Sequence, residues 1–384
     1  MNYTQNQIKK RAETILNWLE KKPFFPTDIS LSMTNKCNLS CKFCHFGAEK
    51  ERQKLHKELS EKDFVALVEE ALNLGIKYWY IDGGEPLYYP EKFLKVIETI
   101  KKHNTYGNFN TNGTLFNDKL IKKIIELGWD EITFSIDSAD PKIHDELRGV
   151  YGTYKKATTA IKKLQKWKKL LDKDKPSINI HTIITDKNYN QLDKIIELGN
   201  KLNVANINFT HLFRETKFYN LYKLEEKHHK EFRSNARKAY ELSLKYKIGT
   251  NVGEYVLDRF EDNEEKKSKL KRTKNLEKSI LSVLSVNCFE PWYKLKILSF
   301  GVVSCCCRNC ENDTGPDNVI AINEEGFPYR RKLKEIWKGK RLENVRKEIF
   351  RNNLPETCFN CSSSAVLYNR NIREYLKKVL EKNG

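Results

Sequence analysis

Short apolar runs alternate with longer amphipathic stretches over the first half of the chain. Runs rich in β-branched and aromatic residues predict six strands, at 28–33, 78–82, 107–111, 131–136, 177–184 and 207–212. Apolar residues at three- and four-residue spacing predict five helices between them, at 61–74, 91–102, 117–127, 154–171 and 189–202. Strands alternating with helices predict an α/β fold, a partial or full barrel whose parallel sheet has its helices outside. In such folds the chemistry lies at the carboxyl ends of the strands.

The second half of the chain has a different pattern. Residues 213–285 are very polar and mostly helical in pattern, with a charge run over 261–278. Beyond them we predict a hairpin-like stretch at 293–306 and helices at 333–350 and 369–382. We therefore expect four parts, namely an N-terminal helical extension (1–27), a (β/α)6 partial barrel (28–212), a helical bridge or insertion (213–285) and a small α+β domain (286–384).

Composition is that of a globular protein with an unusual charge. Of the 384 residues, 11% are aromatic and 32% charged, and the formal net charge is +19. We attribute this charge to lysine-rich, solvated helix faces rather than to binding of nucleic acid. The apolar runs are shorter than the ~18 residues that span a bilayer, and the polar start of the chain does not resemble a signal peptide. We expect a soluble, cytoplasmic protein without a membrane partner.

Ten cysteines change this picture, because in a cytosolic chain they predict metal ligands or catalytic thiols before disulfides. Cys37, Cys41 and Cys44 follow the first predicted strand with the spacing CxxxCxxC. A zinc site needs a fourth ligand, and His45 is poorly placed to supply it. Three thiolates on one short loop suit a four-iron cluster with one open iron better, and a zinc staple is the alternative.

A second motif follows the next strand. In Gly83-Gly84-Glu85-Pro86, the glycines let the main chain approach a ligand closely, and Glu85 can pair with an ammonium. Together with the cysteine triplet, this segment resembles the radical S-adenosylmethionine (SAM) enzymes. The resemblance implies a [4Fe-4S] cluster on the three cysteines, with SAM bound at the open iron and its amino group held by the segment 83–86.

Three further segments resemble the same family. Thr111 and Asn112 lie in a TNG segment after the third strand, and Ser135 and Asp137 end the fourth strand. Arg148 lies in a stretch similar to the family's D-x-x-R-G. The resemblance implies that Thr111 and Asn112 bind SAM, that Ser135 and Arg148 contact its ribose and carboxylate, and that Asp137 binds SAM or the substrate.

Some of these assignments stay open on the residues alone. Arg148 could simply form a surface ion pair with Asp145 or Glu146. At the fifth strand, His181 or Thr182 occupies the corresponding position, and the sequence does not choose between them.

The rear cysteines resemble a second iron–sulfur motif. Cys288, Gly301 and Cys306 have the spacing that opens the SPASM and twitch domains of radical SAM enzymes. The resemblance implies a second, auxiliary [4Fe-4S] cluster on four thiolates, those of Cys288, Cys306, Cys358 and Cys361. The chain has no cysteine after Cys361, so the single-cluster twitch version fits better. The remaining thiols are Cys305, Cys307 and Cys310, which could replace Cys306, be buried filler or be the remnant of a second cluster. A structural zinc site is the alternative to the auxiliary cluster.

The resemblance implies an enzyme that takes one electron from an external donor such as flavodoxin or ferredoxin. It would split SAM, abstract a substrate hydrogen atom and pass a further electron to the auxiliary cluster. Our first hypothesis is an oxidoreductase acting on a small polar, sugar-like molecule, because the single rear cluster resembles that of twitch-type dehydrogenases. In addition, only about 27 residues precede the first strand, too few for the winged-helix peptide-binding domain that many peptide maturases carry there. The alternatives are a maturase of a peptide or protein and a non-enzymatic, metal-binding, RNA-associated protein.

The residue that deprotonates the substrate radical is not assigned by the sequence. Several candidates lie in the right stretch, namely His211, Arg214, Glu254, Tyr255 and Asp258.

Overall fold

We describe a computed structural model of the chain over residues 5–44, 57–212, 219–256, 283–284, 286, 288–305, 317–322, 328–351, 353 and 363–382. Within these residues, the chain divides into two compact units. Unit 1 comprises residues 32–44, 57, 80–212 and 219–256, and unit 2 comprises 5–31, 58–79 and the described residues from 283 onward. No helix in the described part of the chain is long and apolar enough to cross a membrane.

The strands and helices have the following bounds. The strands are β1 (Asp28–Ser32), β2 (Tyr78–Asp82), β3 (Tyr106–Thr111), β4 (Glu131–Ser135), β5 (Ser177–Ile184), β6 (Asn206–His211), β7 (Gly249–Thr250), β8 (Lys294–Ile297), β9 (Val302–Ser304), β10 (Asp317–Asn318), β11 (Ile320–Ile322) and β12 (Pro328–Arg330). The helices of the first half are α1 (Gln5–Leu19), α2 (Glu61–Asn73), α3 (Pro90–Lys101), α4 (Asp118–Glu126), α5 (Pro141–Arg148), α6 (Thr153–Leu170) and α7 (Leu192–Lys201). Those of the second half are α8 (Tyr219–Tyr222), α9 (Glu226–Tyr246), α10 (Gly253–Val256), α11 (Glu290–Tyr293), α12 (Leu333–Trp337), α13 (Lys340–Phe350) and α14 (Ser363–Lys382).

Unit 1 is built on a parallel sheet in which the strands follow one another in chain order, from the end of β2 to β7. Side chains alternate between the two faces of each strand. In β5, Ile178 and Ile180 are buried, while Asn179 and His181 belong to the opposite face. Sequential parallel strands need helical crossovers, which α3, α4, α6 and α7 supply. The polar face therefore carries the side chains available for chemistry.

Unit 2 has its own core. Helix α1 packs on α11 and α14, and Ala12, Ile15, Trp292 and Leu376 are fully buried there. Strand β8 pairs in parallel with residues 28–31 of β1 and in an antiparallel hairpin with β9. A buried ion pair joins α1 to the start of β1, because the Arg11 guanidinium binds the carboxylate of Asp28. A buried ion pair of this kind adds little net stability, because the cost of desolvating two charges offsets their attraction.

The six strands predicted for the first half of the chain are confirmed, each to within one residue at either end. The hairpin predicted at 293–306 is also confirmed, as β8 and β9. The single helix predicted at 333–350 was wrong, because the chain breaks between α12 and α13, where Gly339 takes up an extended N-cap conformation. The charge run at 261–278 lies outside the described residues. The four proposed domain boundaries stay predictions.

Candidate active site

The cysteine loop, residues 33–44, is fixed by backbone pairing with the segment after β2. The amide of Gly84 donates to the Thr34 carbonyl at 2.7 Å, and the amide of Glu85 donates to the Lys36 carbonyl at 2.8 Å. Gly83 has a φ of +130°, and a Cβ atom there would lie 2.4 Å from the Thr34 carbonyl oxygen. The two glycines thus permit a close approach of two backbones, and the partner is the loop that carries the thiols.

Replacing Gly84 by alanine is expected to displace the cysteine loop. Its Cβ would lie 2.2 Å from the Lys36 carbonyl oxygen, and backbone atoms yield little. We expect the free energy of unfolding to fall by about 2 kcal/mol and the iron content after reconstitution to fall with it. Urea unfolding and iron analysis check this. At Gly75 a Cβ would meet nothing, so Gly75→Ala should cost only the strain of its positive φ, about 1 kcal/mol, and keep the iron.

The three thiols of the loop are half-buried, and N–H donors approach two of them. The amide of Leu39 donates to Cys37 Sγ at 3.4 Å, and Asn112 Nδ2 lies 3.9 Å from the same sulfur. Arg148 Nη1 lies 3.8 Å from Cys41 Sγ. Burial raises the pKa of the Cys41 thiol to about 11, with the Arg148 guanidinium opposing the rise. Such N–H groups stabilise thiolate ligands and tune the potential of an iron–sulfur cluster.

The spacing of the thiols bears on the kind of metal. Among the described residues, no three cysteine, histidine or acidic side chains stand close enough to hold one metal ion, and the three thiols are no exception. In a [4Fe-4S] cube each thiolate binds a different iron, so its ligands stand further apart than those of one zinc ion. Three thiol side chains on one loop match the number of cysteine ligands that a cube with one open iron takes from the protein.

Glu85 joins two of the motif segments. Its carboxylate accepts from Thr111 Oγ1 at 2.8 Å, from the Asn112 amide at 2.8 Å and from the Leu87 amide at 3.1 Å. The side chain is only 1% exposed. Burial raises the pKa of Glu85 to about 7, against the three hydrogen bonds, which lower it. Glu85 thus ties the carboxyl ends of β2 and β3 together, and buried Pro86 opens the short 3-10 turn that follows.

The titration of Glu85 predicts a pH dependence of stability. Between its ordinary pKa of 4.5 and about 7, Glu85 is protonated when folded and ionised when unfolded. The unfolded chain then binds fewer protons, so stability falls as pH rises through this window. We subtract the unfolding free energy of Glu85→Gln from that of the parent. This difference should fall by up to about 3 kcal/mol from pH 4.5 to 7 and should stay constant above pH 7. Urea unfolding of the metal-free proteins measures it, and a difference independent of pH would contradict the assignment.

Arg148 ends α5 beside the cysteine loop. Its Nε lies 2.7 Å from Asp137 Oδ2, and its guanidinium lies over the Phe43 ring at 5.5 Å. Asp145, considered above as its partner, instead accepts from the Thr153 hydroxyl and two backbone amides at the start of α6. Arg148 is therefore held inside the protein between an acid and a thiol, and is not part of a surface ion pair.

Asp137 is fully buried and held on several sides. Its Oδ1 accepts from the Ile183 amide at 3.0 Å, and its carbonyl accepts from Asn188 Nδ2 at 2.6 Å. Burial raises the pKa of Asp137, and Arg148 opposes the rise. Its amide donates to His144 Nδ1 at 3.2 Å, and burial lowers the pKa of His144 to about 3, so this imidazole is neutral. The sequence reasoning missed Asn188, which no motif marks.

Ser135 and His181 are in register on neighbouring strands, so their side chains share the polar face. His181 Nε2 lies 2.9 Å from Thr210 Oγ1, and burial lowers the pKa of His181 to about 4. The Thr182 hydroxyl donates to the Ile136 carbonyl at 2.6 Å from the other face. Of the two candidates on the fifth strand, His181 is therefore the one that faces the same side as Ser135.

Further along the same face, polar side chains bind one another. The amides of Asn108 and Asn179 both donate to Glu131 Oε2, at 3.3 and 3.1 Å, and Asn206 donates to Asn179 at 3.0 Å. This chain of hydrogen bonds leaves the amino ends of β3 to β6 tied together. The carboxyl ends carry Ser135, His181 and the Thr210 hydroxyl.

The structure brings together two of the candidates for an acid or base. The rings of His211 and Tyr255 meet edge to face at 5.2 Å, and the Tyr255 hydroxyl donates to the Phe209 carbonyl at 2.8 Å. Burial lowers the pKa of His211 to about 4. Arg214 and Asp258 lie outside the described residues.

The rear thiols are described only in part. Cys288 is half-buried and Cys305 is buried in unit 2. Arg373, close to Cys288, donates to the Leu284 and Val286 carbonyls. The other rear cysteines lie outside the described residues; they are Cys306, Cys307, Cys310, Cys358 and Cys361.

Comparison with known proteins identifies two domains in the chain. Residues 31–198 match the model of the radical SAM superfamily, and residues 288–362 match that of an iron–sulfur cluster-binding domain, SPASM. The chain therefore contains a radical SAM domain, with a SPASM domain C-terminal to it. The first domain implies a [4Fe-4S] cluster and SAM, and the second implies additional iron–sulfur clusters.

Individual proteins resemble the chain over only part of their length. The chain is 32% identical over 174 residues to the tungsten-containing aldehyde ferredoxin oxidoreductase cofactor-modifying protein of Pyrococcus furiosus, covering 43% of this chain and 46% of that protein. It is 30% identical over 141 residues to the sporulation killing factor maturation protein SkfB of Bacillus subtilis, covering 37% and 33%. The chain thus spans half or less of the length of these relatives. Streptococcus suis SuiB shares the fold, with a TM-score of 0.64 at 14% identity over 91% of this chain and 74% of SuiB.

Proposed function

We propose that the protein reductively cleaves SAM and uses the resulting radical to oxidise an uncharged polar substrate. When bound, a reduced cluster supplies the electron that splits SAM into methionine and a 5′-deoxyadenosyl radical, which takes a hydrogen atom from the substrate. The observation that carries the proposal is the convergence of two loops and the end of α5 on the cysteine loop, through Gly84, Asn112 and Arg148. The two loops follow the successive parallel strands β2 and β3, at the edge of the sheet where this kind of fold binds its ligands.

In this proposal the chain's residues have distinct roles. Cys37, Cys41 and Cys44 ligate the cluster, and Arg148, a buried cation beside Cys41, binds the SAM carboxylate. Glu85 supports the site indirectly, because its carboxylate holds the segment at Asn112 against the residues after β2. The SAM site as a whole is formed by Gly83, Gly84, Glu85, Pro86, Thr111, Asn112, Ser135, Asp137 and Arg148.

The polar face of unit 1 supports an uncharged substrate. Towards the carboxyl ends of β4, β5 and β6, this face carries the Ser135 and Thr210 hydroxyls and the His181 imidazole, which its lowered pKa keeps neutral at pH 7. Neutral hydroxyl and imidazole groups suit hydroxyl and amide groups of a substrate rather than phosphates. We place a small polar molecule first, with an auxiliary cluster on Cys288, Cys306, Cys358 and Cys361 accepting the second electron.

A peptide substrate is the second candidate. The relative SkfB is named a maturation protein of a sporulation killing factor, and an uncharged polar face also suits a peptide backbone. A small peptide encoded beside the gene that loses a pair of hydrogen atoms when incubated with the enzyme, as read by mass spectrometry, would decide for this candidate.

Anaerobic reconstitution tests the proposed reaction. Protein loaded with iron and sulfide is incubated with SAM, with and without dithionite, and 5′-deoxyadenosine is measured by liquid chromatography and mass spectrometry. We expect the nucleoside only in the presence of both SAM and reductant. Its absence from protein with a full iron complement would overturn the proposal.

A further inference from the structure

A cation is buried in the core of unit 2, on α13. The side chain of Arg346 is 1% exposed, and its guanidinium carbon lies 4.1 Å from the centre of the Trp337 ring and 5.1 Å from that of Phe24. Its Nε donates to the Pro291 carbonyl at 2.9 Å, and its Nη1 donates to the Trp337 carbonyl at 3.2 Å. The third nitrogen, Nη2, is buried and has no acceptor within the described residues. A buried cation with an unused donor calls for a negative group beside it.

Two groups that act on Arg346 can carry negative charge. The carboxylate of Glu343 lies 3.4 Å from Nη1, but it is 32% exposed. The other group is the thiol of Cys305, which is buried and directly follows β9. Helix α13 also contacts β9, because Arg341 Nη1 lies 3.4 Å from the Val303 carbonyl. Burial lowers the pKa of Arg346 to about 10, and Glu343 and Cys305 oppose the fall. Arg346 therefore lies beside the segment where the rear thiols begin.

A second arginine, Arg373 on α14, contacts the chain on both sides of Cys288. Its Nε donates to the Leu284 carbonyl at 2.9 Å, and its Nη2 donates to the Val286 carbonyl at 2.6 Å. Its guanidinium carbon lies 5.5 Å from the centre of the Phe289 ring. Burial lowers the pKa of Arg373, and the Cys288 thiol opposes the fall. The two rear cysteines that the structure describes thus each have a guanidinium close by.

We propose that Arg346 and Arg373 are counter-charges of the rear iron–sulfur cluster and raise its reduction potential. The SPASM match implies a cluster in this part of the chain. A cluster held by thiolates is an anion, and reduction by one electron adds a further negative charge. A fixed cation beside it therefore stabilises the reduced form more than the oxidised form. Because Arg346 is buried, water and salt screen its charge little.

The carboxylates near the two arginines have further cations of their own. Glu290, on α11, lies 3.3 Å from Lys294 Nζ. Glu343 lies 3.7 Å from Lys347 Nζ in addition to its contact with the guanidinium. Within the described residues, these two acids therefore do not cancel the positive charge beside the rear thiols.

The inference deepens the proposed function and rests on it only for the use of the electron. In that function the rear cluster accepts one electron from the substrate radical, which is oxidised by one electron and releases a proton to solvent. A higher potential of the cluster makes this transfer more favourable.

The potential of the rear cluster can be measured alone in the full-length chain whose three loop cysteines are replaced by alanine. After reconstitution with iron and sulfide, this background is titrated with dithionite and redox mediators, and the reduced cluster is followed by electron paramagnetic resonance. In this background Arg346→Met should lower the equilibrium constant for one-electron reduction about tenfold, equivalent to about 59 mV. Arg373→Met should lower it about threefold, because this half-buried charge is better screened.

Lysine variants separate charge from packing. Arg346→Lys and Arg373→Lys keep the positive charge and should hold the potential near that of the background. The matched control is Arg370→Met, which removes an exposed arginine of α14 that pairs with Glu374 at 3.3 Å and should leave the potential unchanged. An equal shift in the lysine and methionine variants would refute an electrostatic role, as would a shift of the same size in Arg370→Met.

Two further results would also overturn the inference. One is a background protein without a reducible cluster. The other is an unchanged potential in Arg373→Met, which decides the matter if Arg346→Met fails to keep its iron. The background lacks the loop thiols, so its potentials are measured without SAM cleavage. If the parent failed to form 5′-deoxyadenosine with dithionite, the proposed reaction would fall while these potentials still decided the role of the two arginines.

Discussion

Cys41→Ala protein is expected to form no 5′-deoxyadenosine above background when incubated with SAM and dithionite. Cys41 is the middle ligand of the triplet, and its sulfur faces the Arg148 guanidinium. Without it, two thiolates remain, too few to hold a four-iron cluster with one open iron. The same protein should retain the rear cluster only. Iron and sulfide should therefore fall from roughly eight of each to roughly four.

Ser40→Ala is the matched control for this experiment. Ser40 is the exposed neighbour of Cys41, and its hydroxyl donates only to the Gly149 carbonyl in the described structure. We expect this variant to keep its iron and its SAM cleavage. Undiminished nucleoside formation by Cys41→Ala, with Ser40→Ala unchanged, would show that the loop thiols do not carry the reaction.

The sheet of unit 1 was predictable because local sequence determines it. Strands β4, β5 and β6 are short runs with buried isoleucine or phenylalanine at alternate positions, such as Ile178 and Ile180. Glycines or capping residues mark the ends of the helices between the strands. Ser60, for example, forms a capping box with Asp63 at the start of α2. Because parallel strands place their carboxyl ends on one edge, the order of motifs along the chain already implied that they meet.

The contacts within the site were less accessible from sequence. That Glu85 turns its carboxylate inward onto the Asn112 amide depends on the distance between two loops, which no local pattern encodes. The choice of Asp137 over Asp145 as the partner of Arg148 depends on α5, a helix that the strand and helix patterns did not reveal. Its start at Asp140-Pro141 and its end at Gly149 are capping signals that would have found it.

The pairing of strands that lie far apart in the sequence was also not predictable. Strand β8 lies in parallel beside β1, with Asp28 in register with Lys294, although most of the chain separates them in sequence. A short strand carries too few residues for its pattern to specify a partner. The two-residue β7 is shorter still.

Removing the Arg148 guanidinium is expected to destabilise the metal-free protein strongly. Arg148→Met leaves Asp137, which is fully buried, without the charge that faces it at 2.7 Å. Breaking a buried ion pair from one side costs about 3 kcal/mol or more, because the remaining charge stays in the interior. Urea unfolding under reducing conditions measures the loss.

The double variant Arg148→Met/Asp137→Asn separates the cost of the orphaned charge from the loss of packing. With both charges gone, the destabilisation should be smaller than the sum of the two single losses, by about 1–3 kcal/mol. The control is Lys163→Met, which removes an exposed pair with Asp118 at 3.3 Å and should change stability by less than about 0.5 kcal/mol. Strictly additive single losses would mean that Asp137 and Arg148 do not depend on each other. That result would contradict the assignment of Asp137 as the residue that holds Arg148 beside Cys41.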